Sequence, residues 1–162
     1  MYETTYLESP IGWIKIQGSD KGIRYIQRIE KPATDKLSSH PLLKKCRRQL
    51  QEYFARRRTE FDIKLDWEGA SIFYKSVWRE VMKIPYGHTA SYGAIAKQIG
   101  KPNASRAVGL ANRNNPIAII MPCHRVIGKS GKLTGYFYGL DIKQQLLELE
   151  NPMSYAKQGK LF

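Results

Sequence analysis

The chain has 162 residues, of which 42% are hydrophobic and 25% charged, and it carries a formal net charge of +13. This length supports one domain or two small ones. Its two cysteines are too few for a secreted domain built on disulfides, so a reducing compartment is expected. The N-terminal residues lack the pattern of a signal peptide, and no apolar run approaches the roughly 18 residues that cross a bilayer. We expect a cytoplasmic protein of a prokaryote with no membrane partner, or a nuclear protein if the source is eukaryotic.

The net positive charge is larger in the second half of the chain, because that half has few acidic residues. Residues 71–162 hold 13 Lys and Arg against 4 Asp and Glu, whereas residues 1–70 hold 14 against 10. A basic surface with few acids attracts polyanions, of which nucleic acid is the usual one. Charge that serves solubility or adaptation to heat explains the same numbers, so charge alone leaves the partner open.

The first half predicts a small sheet and one helix. Three runs that alternate apolar and polar side chains are separated by turn sequences, which is typical of antiparallel strands. The predicted elements are strands over Tyr2–Leu7, Trp13–Gln17 and Ile23–Ile29, a helix over Pro41–Arg57 and a further strand over Phe61–Leu65. Cys46 lies on the apolar stripe of the helix and is therefore predicted to be a core residue. Residues 66–69 are predicted to form a linker to a second domain.

The second half predicts mostly helices. The predicted helices cover Ile72–Met82, Tyr92–Ile99, a segment from Asn103 or Ser105 to about Arg113, and Leu140–Glu150. Ser91 can cap the second of these and Gly100 can end it in the left-handed region. Two short helices joined by Gly100–Pro102 are typical of a helix-turn-helix. We predict an α+β fold with an N-terminal α/β supporting domain over residues 1–68 and a C-terminal domain over residues 69–162.

One cysteine is surrounded by residues that suit chemistry. The segment Pro122-Cys123-His124-Arg125-Val126 follows the apolar run Ile117–Met121, which is predicted to be a buried strand. The thiolate is the reactive form of cysteine, and nearby cations favour it. Most intracellular cysteines are small buried hydrophobic residues, but a Pro, a His and an Arg do not belong in a core strand. We therefore predict that Cys123 is a nucleophile.

Other readings of the same residues are weaker. The soft metal ligands of the chain, Cys46, Cys123, His40, His88 and His124, show none of the short spacings of structural zinc sites, so no metal is expected. A cysteine protease needs a distant His with its own motif, and neither His40 nor His88 has one. A helix-turn-helix pattern alone is common in proteins that do not bind DNA.

The second half resembles the O6-alkylguanine-DNA alkyltransferases, also called methylated-DNA–protein-cysteine methyltransferases. The resemblance spans about Phe73 to Glu150 and includes the PCHRV signature around Cys123. Four further matches occur in order along the chain, at Ser91-Tyr92, Arg106–Gly109, Asn115-Pro116 and the final helix ending in Glu150. The first half is similar to the family's variable N-terminal domain only in layout.

The resemblance implies a single-turnover reaction that needs no cofactor. Cys123 would take the alkyl group from O6 of guanine in double-stranded DNA, and His124 would take the thiol proton through a water. Glu150 would orient His124, Tyr92 would donate a hydrogen bond to the guanine, and Asn115 would hold the catalytic segment and the helix-turn-helix together. This is the logic of a nucleophile, a base and an orienting group.

The resemblance also implies a DNA-binding surface and an alkyl pocket. Because the target atom lies inside the duplex, the nucleotide must be flipped out. Arg106 would fill the vacated stack, and the small residues of the second helix would let it approach the minor groove closely. The implied DNA-binding residues are Ser105, Arg106, Ala107, Gly109, Tyr92, Arg113 and Arg125. The implied pocket residues are Met121, Pro122, Val126, Tyr136, Phe137 and Tyr138, with the carbonyls of Cys123 and Val126 facing the exocyclic amine of guanine.

Two features depart from the family pattern. The Tyr136–Gly139 stretch is bulkier than the Ser- and Gly-rich loop of many members, so methyl is expected to fit better than large alkyl groups. The zinc ligands of some members' N-terminal domains have no counterpart. The hypotheses are a suicide repair protein that acts as a monomer, with cooperativity on DNA left open, a non-catalytic binder of alkylated bases, and a helix-turn-helix regulator.

Overall fold

The computed structural model describes residues 1–129 and 139–152, and the chain divides into two compact units. The first comprises Met1–Glu68 together with Pro116–Ala118. The second comprises Gly69–Asn115 together with the chain from Ile119 onward. Residues 116–118 were predicted to belong to the second domain, whereas their backbone pairs with a strand of the first unit.

The first unit is a three-stranded antiparallel sheet with one helix against it. Its strands are β1 (Glu3–Ser9), β2 (Gly12–Ser19) and β3 (Gly22–Ile29), and they are hydrogen-bonded in the order β1-β2-β3. The helix α1 (Pro41–Phe54) packs on this sheet. Period-two alternation buries one face of the sheet, including Ile14 and Ile16, and Cys46 of α1 is fully buried as predicted. The helix ends three residues earlier than predicted because Arg56 adopts a left-handed φ of 60°.

Two short segments pair with β3 through isolated parallel bridges. Leu65 bridges to Ile23, and Ile117 bridges to Ile26. The Ile26 N–H donates to the Pro116 carbonyl at 3.0 Å, and the Ala118 N–H donates to the Ile26 carbonyl at 3.1 Å. The second bridge binds residues 116–118 to the first unit.

The strands predicted over Phe61–Leu65 and Ile117–Met121 are wrong. Each segment contributes only a single bridge, and residues 118–120 form turns with Ile119 at a φ of 73°. The apolar run is buried throughout, as expected for a strand. A short apolar run reports burial, however, and does not distinguish a strand from a buried turn.

The second unit is mostly helical. Its helices are α2 (Ile72–Val81), α3 (Tyr92–Gln98), α4 (Ser105–Arg113) and α5 (Leu140–Glu150), and its strands β4 (Ala90–Ser91) and β5 (Val126–Ile127) form a short parallel pair. The helix-turn-helix of α3 and α4 forms as the sequence predicts. Ser91 Oγ accepts the Ala94 N–H at 3.0 Å, and Gly100 closes α3 at a φ of 77°.

The α+β prediction is therefore confirmed. The packing of α4 on α2 includes a hydrogen bond from Trp78 Nε1 to the Ala111 carbonyl at 2.9 Å, so this face of α4 is directed inward. The other face of α4 is exposed at Arg106, Leu110 and Arg113. Within residues 1–129 and 139–152, no helix is long and apolar enough to cross a membrane.

Candidate active site and nucleic-acid interface

Cys123 begins a single 3-10 turn, residues 123–125, which we call the cysteine turn. The Val126 N–H donates to the Cys123 carbonyl, and the Cys123 N–H donates to the Met121 carbonyl at 2.7 Å. Just before this turn, Ile119 is buried and holds a left-handed φ, which costs a β-branched residue about 1–2 kcal/mol. Backbone strain of this kind clusters at functional sites.

An amide side chain holds the sulfur and the backbone beside it. Asn115 Nδ2 lies 3.0 Å from Cys123 Sγ and donates to the Met121 carbonyl at 2.8 Å. Asn115 follows directly after α4 and its C-cap residue, so it connects that helix to the cysteine turn. A donor at this distance stabilises negative charge on the sulfur as the thiol loses its proton.

His124 and Glu150 form a buried pair next to the cysteine. Their Nε2 and Oε2 atoms are 2.6 Å apart, and the His124 side chain is completely buried. Burial lowers the pKa of His124, an effect that Glu150 opposes, so the ring is neutral at pH 7. An Nε2–H that donates to Glu150 leaves Nδ1 as an acceptor. Nδ1 is buried and has no hydrogen-bond partner among the described residues.

Arg125 completes this cluster from the other side of the carboxylate. Its Nε and Nη2 donate to the two oxygens of Glu150 at 2.8 Å and 3.0 Å, and its Nη1 donates to the Ile84 carbonyl at 2.7 Å. Burial by itself raises the pKa of Glu150, but His124 and Arg125 together hold it below its ordinary value. The prediction that Arg125 binds DNA is wrong, because its guanidinium is buried and its nitrogens are used inside the unit.

Two buried polar residues of the site, Lys143 and Asn112, were not predicted from the sequence. Lys143 Nζ donates to the Val126 carbonyl at 2.6 Å, and burial lowers the pKa of this lysine to about 8 although Cys123 opposes the shift. Asn112 Nδ2 donates to the Cys123 carbonyl at 3.1 Å. Both residues lie on the buried stripes of their helices, with Ala111 on α4 and with Leu146 and Leu147 on α5. A polar residue on an apolar stripe is the signal that could have found them.

The outer face of α4 borders a surface groove of about 880 Å³. Among its lining residues are six that were predicted to bind DNA: Tyr92, Ser105, Arg106, Ala107, Gly109 and Arg113. Arg106 and Arg113 are exposed, and neither has a hydrogen-bond or ion-pair partner in the part of the chain that the structure describes. The structure thus presents unpaired cations and small residues together at one surface.

The predicted pocket residues are described only in part. Met121, Pro122 and Val126 are buried around the cysteine turn, whereas Tyr136, Phe137 and Tyr138 lie outside the described residues. Across residues 1–129 and 139–152, no three His, Cys, Asp or Glu side chains are grouped so that they could hold a metal ion. What the described residues assemble is a thiol, a neutral imidazole and an ionised carboxylate, which together can ionise and direct a sulfur nucleophile.

Comparison with known proteins gives matches along most of the chain. The model of the DNA binding domain of 6-O-methylguanine DNA methyltransferase matches residues 72–152, and the model of the ribonuclease-like domain matches residues 1–67. The methylated-DNA–protein-cysteine methyltransferase of Methanosarcina acetivorans is 53% identical over 149 residues, covering 88% of this chain and 94% of that protein. The one from Mycolicibacterium paratuberculosis is 50% identical over 160 residues, covering 96% of both.

Solved structures give the same result. The crystal structure of Mycobacterium tuberculosis OGT in complex with DNA matches with a TM-score of 0.82 and 47% sequence identity, covering 93% of this chain and 92% of that chain. A crystal structure of Mycobacterium tuberculosis O6-methylguanine methyltransferase matches with a TM-score of 0.80 and 43% identity, covering 94% of both chains. The sequence, the fold and the arrangement around Cys123 agree, and the chain belongs to the 6-O-methylguanine DNA methyltransferase family.

Proposed function

We propose that this chain is a DNA repair protein that transfers the alkyl group of O6-alkylguanine, mainly O6-methylguanine, to its own Cys123. The observation that carries the proposal is the buried His124–Glu150 pair beside Cys123, with His124 Nδ1 left without a partner among the described residues. An in-line attack by a thiol requires a general base that is held in one orientation and has an acceptor nitrogen available for the thiol proton. The relatives named as methylated-DNA–protein-cysteine methyltransferases support the same activity.

The residues supply a balanced reaction. His124 Nδ1 takes the thiol proton of Cys123 through a water, and Glu150 stabilises the resulting imidazolium. The sulfur attacks the alkyl carbon, so that an S–C bond forms while the C–O6 bond breaks and its electron pair stays on the oxygen. The guanine leaves as an anion, which a hydrogen bond from Tyr92 stabilises, and it gains the proton that the thiol gave up. Because the thioether is not cleaved again, each molecule acts once.

The groove along α4 is the proposed DNA-binding surface. Arg106 and Arg113 would meet phosphates or the duplex interior, and Arg106 would fill the space left by the flipped nucleotide. The fold itself does not require glycine at position 109, because a Cβ there would lie 3.8 Å from the Tyr92 ring, an ordinary contact. Glycine inside a helix costs about 1 kcal/mol relative to alanine, so the close approach of DNA gives Gly109 a reason.

The decisive experiment uses a duplex oligonucleotide that contains one O6-methylguanine. After incubation, peptide mass spectrometry should find the methyl group on the Cys123 peptide. Cys123→Ser should bind the lesion duplex and transfer nothing. Cys46→Ala is the matched control and should transfer at the wild-type rate, since burial raises the pKa of Cys46 to about 12 and keeps it inert. Tight binding without transfer would instead indicate a non-catalytic binder, and no preference for the lesion would indicate a helix-turn-helix regulator.

Arg106→Ala tests the flipping role separately. It should slow repair of the duplex more than the reaction with free O6-benzylguanine, because the free base needs no extrusion. Equal losses in the two reactions would contradict the role. DNA affinity of the wild-type protein should also fall steeply with salt, as phosphate contacts require.

The remaining parts of the proposal concern organisation. We assign DNA binding and alkyl transfer to residues 69–162 and a supporting role to residues 1–68. We propose that the protein acts as a monomer on one lesion, in the compartment that holds the genome, which in prokaryotes is the cytoplasm. Sedimentation of the protein alone and on a short duplex measures the stoichiometry, and a dimer in either sample would contradict the monomer.

A further inference from the structure

Two amide side chains reach the cysteine turn from the helix that borders the DNA groove. Asn115, just after α4, contacts Cys123 Sγ and the Met121 carbonyl. Asn112, inside α4, donates from Nδ2 to the Cys123 carbonyl at 3.1 Å and is only 2% exposed. The family resemblance implies a role for Asn115 alone, so Asn112 requires its own explanation.

Asn112 is an unfavourable residue for stability at this position. Its Oδ1 is buried and has no hydrogen-bond partner among the described residues. An unsatisfied buried acceptor costs about 1–3 kcal/mol, and the neighbouring residues of the same face, Val108 and Ala111, are fully buried and apolar. Leucine, which has nearly the same shape, would avoid this cost. The amide is therefore explained by its donor and not by packing.

The bond from Asn112 fixes the peptide plane that follows the nucleophile. The Cys123 carbonyl accepts the Val126 N–H, which closes the cysteine turn, and it also accepts the Asn112 amide. The two donors approach this carbonyl from different segments, so the plane is held from two directions. For given torsion angles of Cys123, this plane determines the direction of the Cα–Cβ bond and the position of the sulfur.

We propose that Asn112 is a positioning residue that holds Cys123 in register with α4, an inference that rests on the proposed function. In-line displacement needs the sulfur about 3–3.5 Å from the alkyl carbon and aligned with the bond that breaks, and a misplacement of about 1 Å can cost a factor of roughly 100. The lesion is held through α4, whose outer face carries Arg106 in the groove. Asn112 links that helix directly to the backbone of the nucleophile.

The test compares Asn112→Leu with the wild-type protein in four measurements. Affinity for the lesion duplex should change less than about twofold, and the thermal midpoint should stay equal or rise. The single-turnover rate constant of methyl transfer should fall at least about fivefold. The rate of alkylation of Cys123 by iodoacetamide should change less than about twofold. This reagent approaches from solution, so the sulfur need not be aligned with a bound guanine.

Asn114→Leu is the matched control. Asn114 is exposed at the end of the same helix, and its Nδ2 donates to the Tyr74 hydroxyl at 3.0 Å, away from the cysteine turn. This variant should transfer methyl at the wild-type rate. If Asn112→Leu does not fold, the inference that the amide is unfavourable for packing is overturned directly, and Asn112→Met then provides the kinetic comparison.

Two results would overturn the positioning role. One is methyl transfer by Asn112→Leu within about twofold of wild type. The other is a parallel loss of transfer, iodoacetamide reactivity and thermal midpoint, which would indicate a general structural role. The wild-type reaction distinguishes failure of this inference from failure of the proposed function, because wild-type protein that transfers no methyl at all contradicts the function itself.

Discussion

Replacing Glu150 by Gln should destabilise the fold by about 3–5 kcal/mol, because it removes one partner of a buried ion pair and keeps the other. The Glu150 carboxylate is 1% exposed and accepts from Arg125 at 2.8 Å and 3.0 Å and from His124 at 2.6 Å. Glutamine has the same shape, but it leaves the Arg125 charge buried without a counter-charge. For a chain of this size, about 2–4 °C of thermal midpoint corresponds to each kcal/mol, so a fall of roughly 6–20 °C is expected.

The chain contains a matched control for this measurement. Arg58 Nε lies 2.8 Å from Glu52 Oε1, the same distance as in the buried pair, but both side chains are about 30% exposed. Glu52→Gln should therefore cost less than about 1 kcal/mol. Urea denaturation at pH 7 gives both free energies of unfolding. If Glu150→Gln and Glu52→Gln lower the free energy of unfolding equally, burial of the charge does not determine how much the Glu150 cluster contributes to stability. Adding Arg125→Met to Glu150→Gln should recover part of the loss.

Two further predictions concern pH. The pKa values of both His124 and Glu150 are lower in the folded state than in the unfolded state. As the pH falls, the unfolded chain therefore binds protons before the folded chain does. The stability should fall as the pH drops below about 6.5, where His124 is protonated in the unfolded chain, and again below about 4.3, where Glu150 is. Urea titrations from pH 7 to about pH 2 cover both falls, and a flat profile would contradict the prediction. Lys143→Met should stabilise the protein by about 2 kcal/mol at pH 7. Burial lowers the pKa of Lys143 to about 8 from 10.5, so the buried charge that the substitution removes costs about 3 kcal/mol. The substitution also removes one hydrogen bond worth about 1 kcal/mol. Wild-type stability should therefore rise between pH 8 and pH 10.5 and the advantage of the variant should disappear there; a variant less stable than wild type at pH 7 would refute this reasoning.

Local signals in the sequence predicted most of the fold. Alternation of side chains predicted β1 to β3, and the cap at Ser91 and the glycine at position 100 predicted the helix-turn-helix. Helix α5 runs from Leu140 to Glu150, as the sequence predicts. These features depend on residues within a few positions of one another, so a single sequence contains them. The buried run before Cys123 was misassigned because burial of a short apolar segment does not determine its backbone conformation.

Long-range partners could not be predicted in the same way. Arg125 was predicted to bind DNA, but a single sequence does not show that this side chain is buried. Its actual partners, Ile84 and Glu150, lie 41 and 25 residues away along the chain. Periodicity shows which face of a helix is buried, but it does not show which buried polar groups meet. Asn112 and Lys143 were missed for the same reason, since each contacts the backbone of a distant segment.

The charges around Cys123 also determine where the thiol proton goes. Before reaction, the buried groups near the sulfur include two cations, Arg125 and Lys143, and one anion, Glu150. Moving the thiol proton to His124 creates a thiolate and an imidazolium together, so the net charge does not change. Once the sulfur is alkylated its negative charge is gone, and the imidazolium becomes an uncompensated third cation in a buried site, which is strongly unfavourable. The same burial that lowers the pKa of His124 therefore drives its proton toward the departing guanine anion, and the alkyl transfer and the return of the proton are linked by electrostatics.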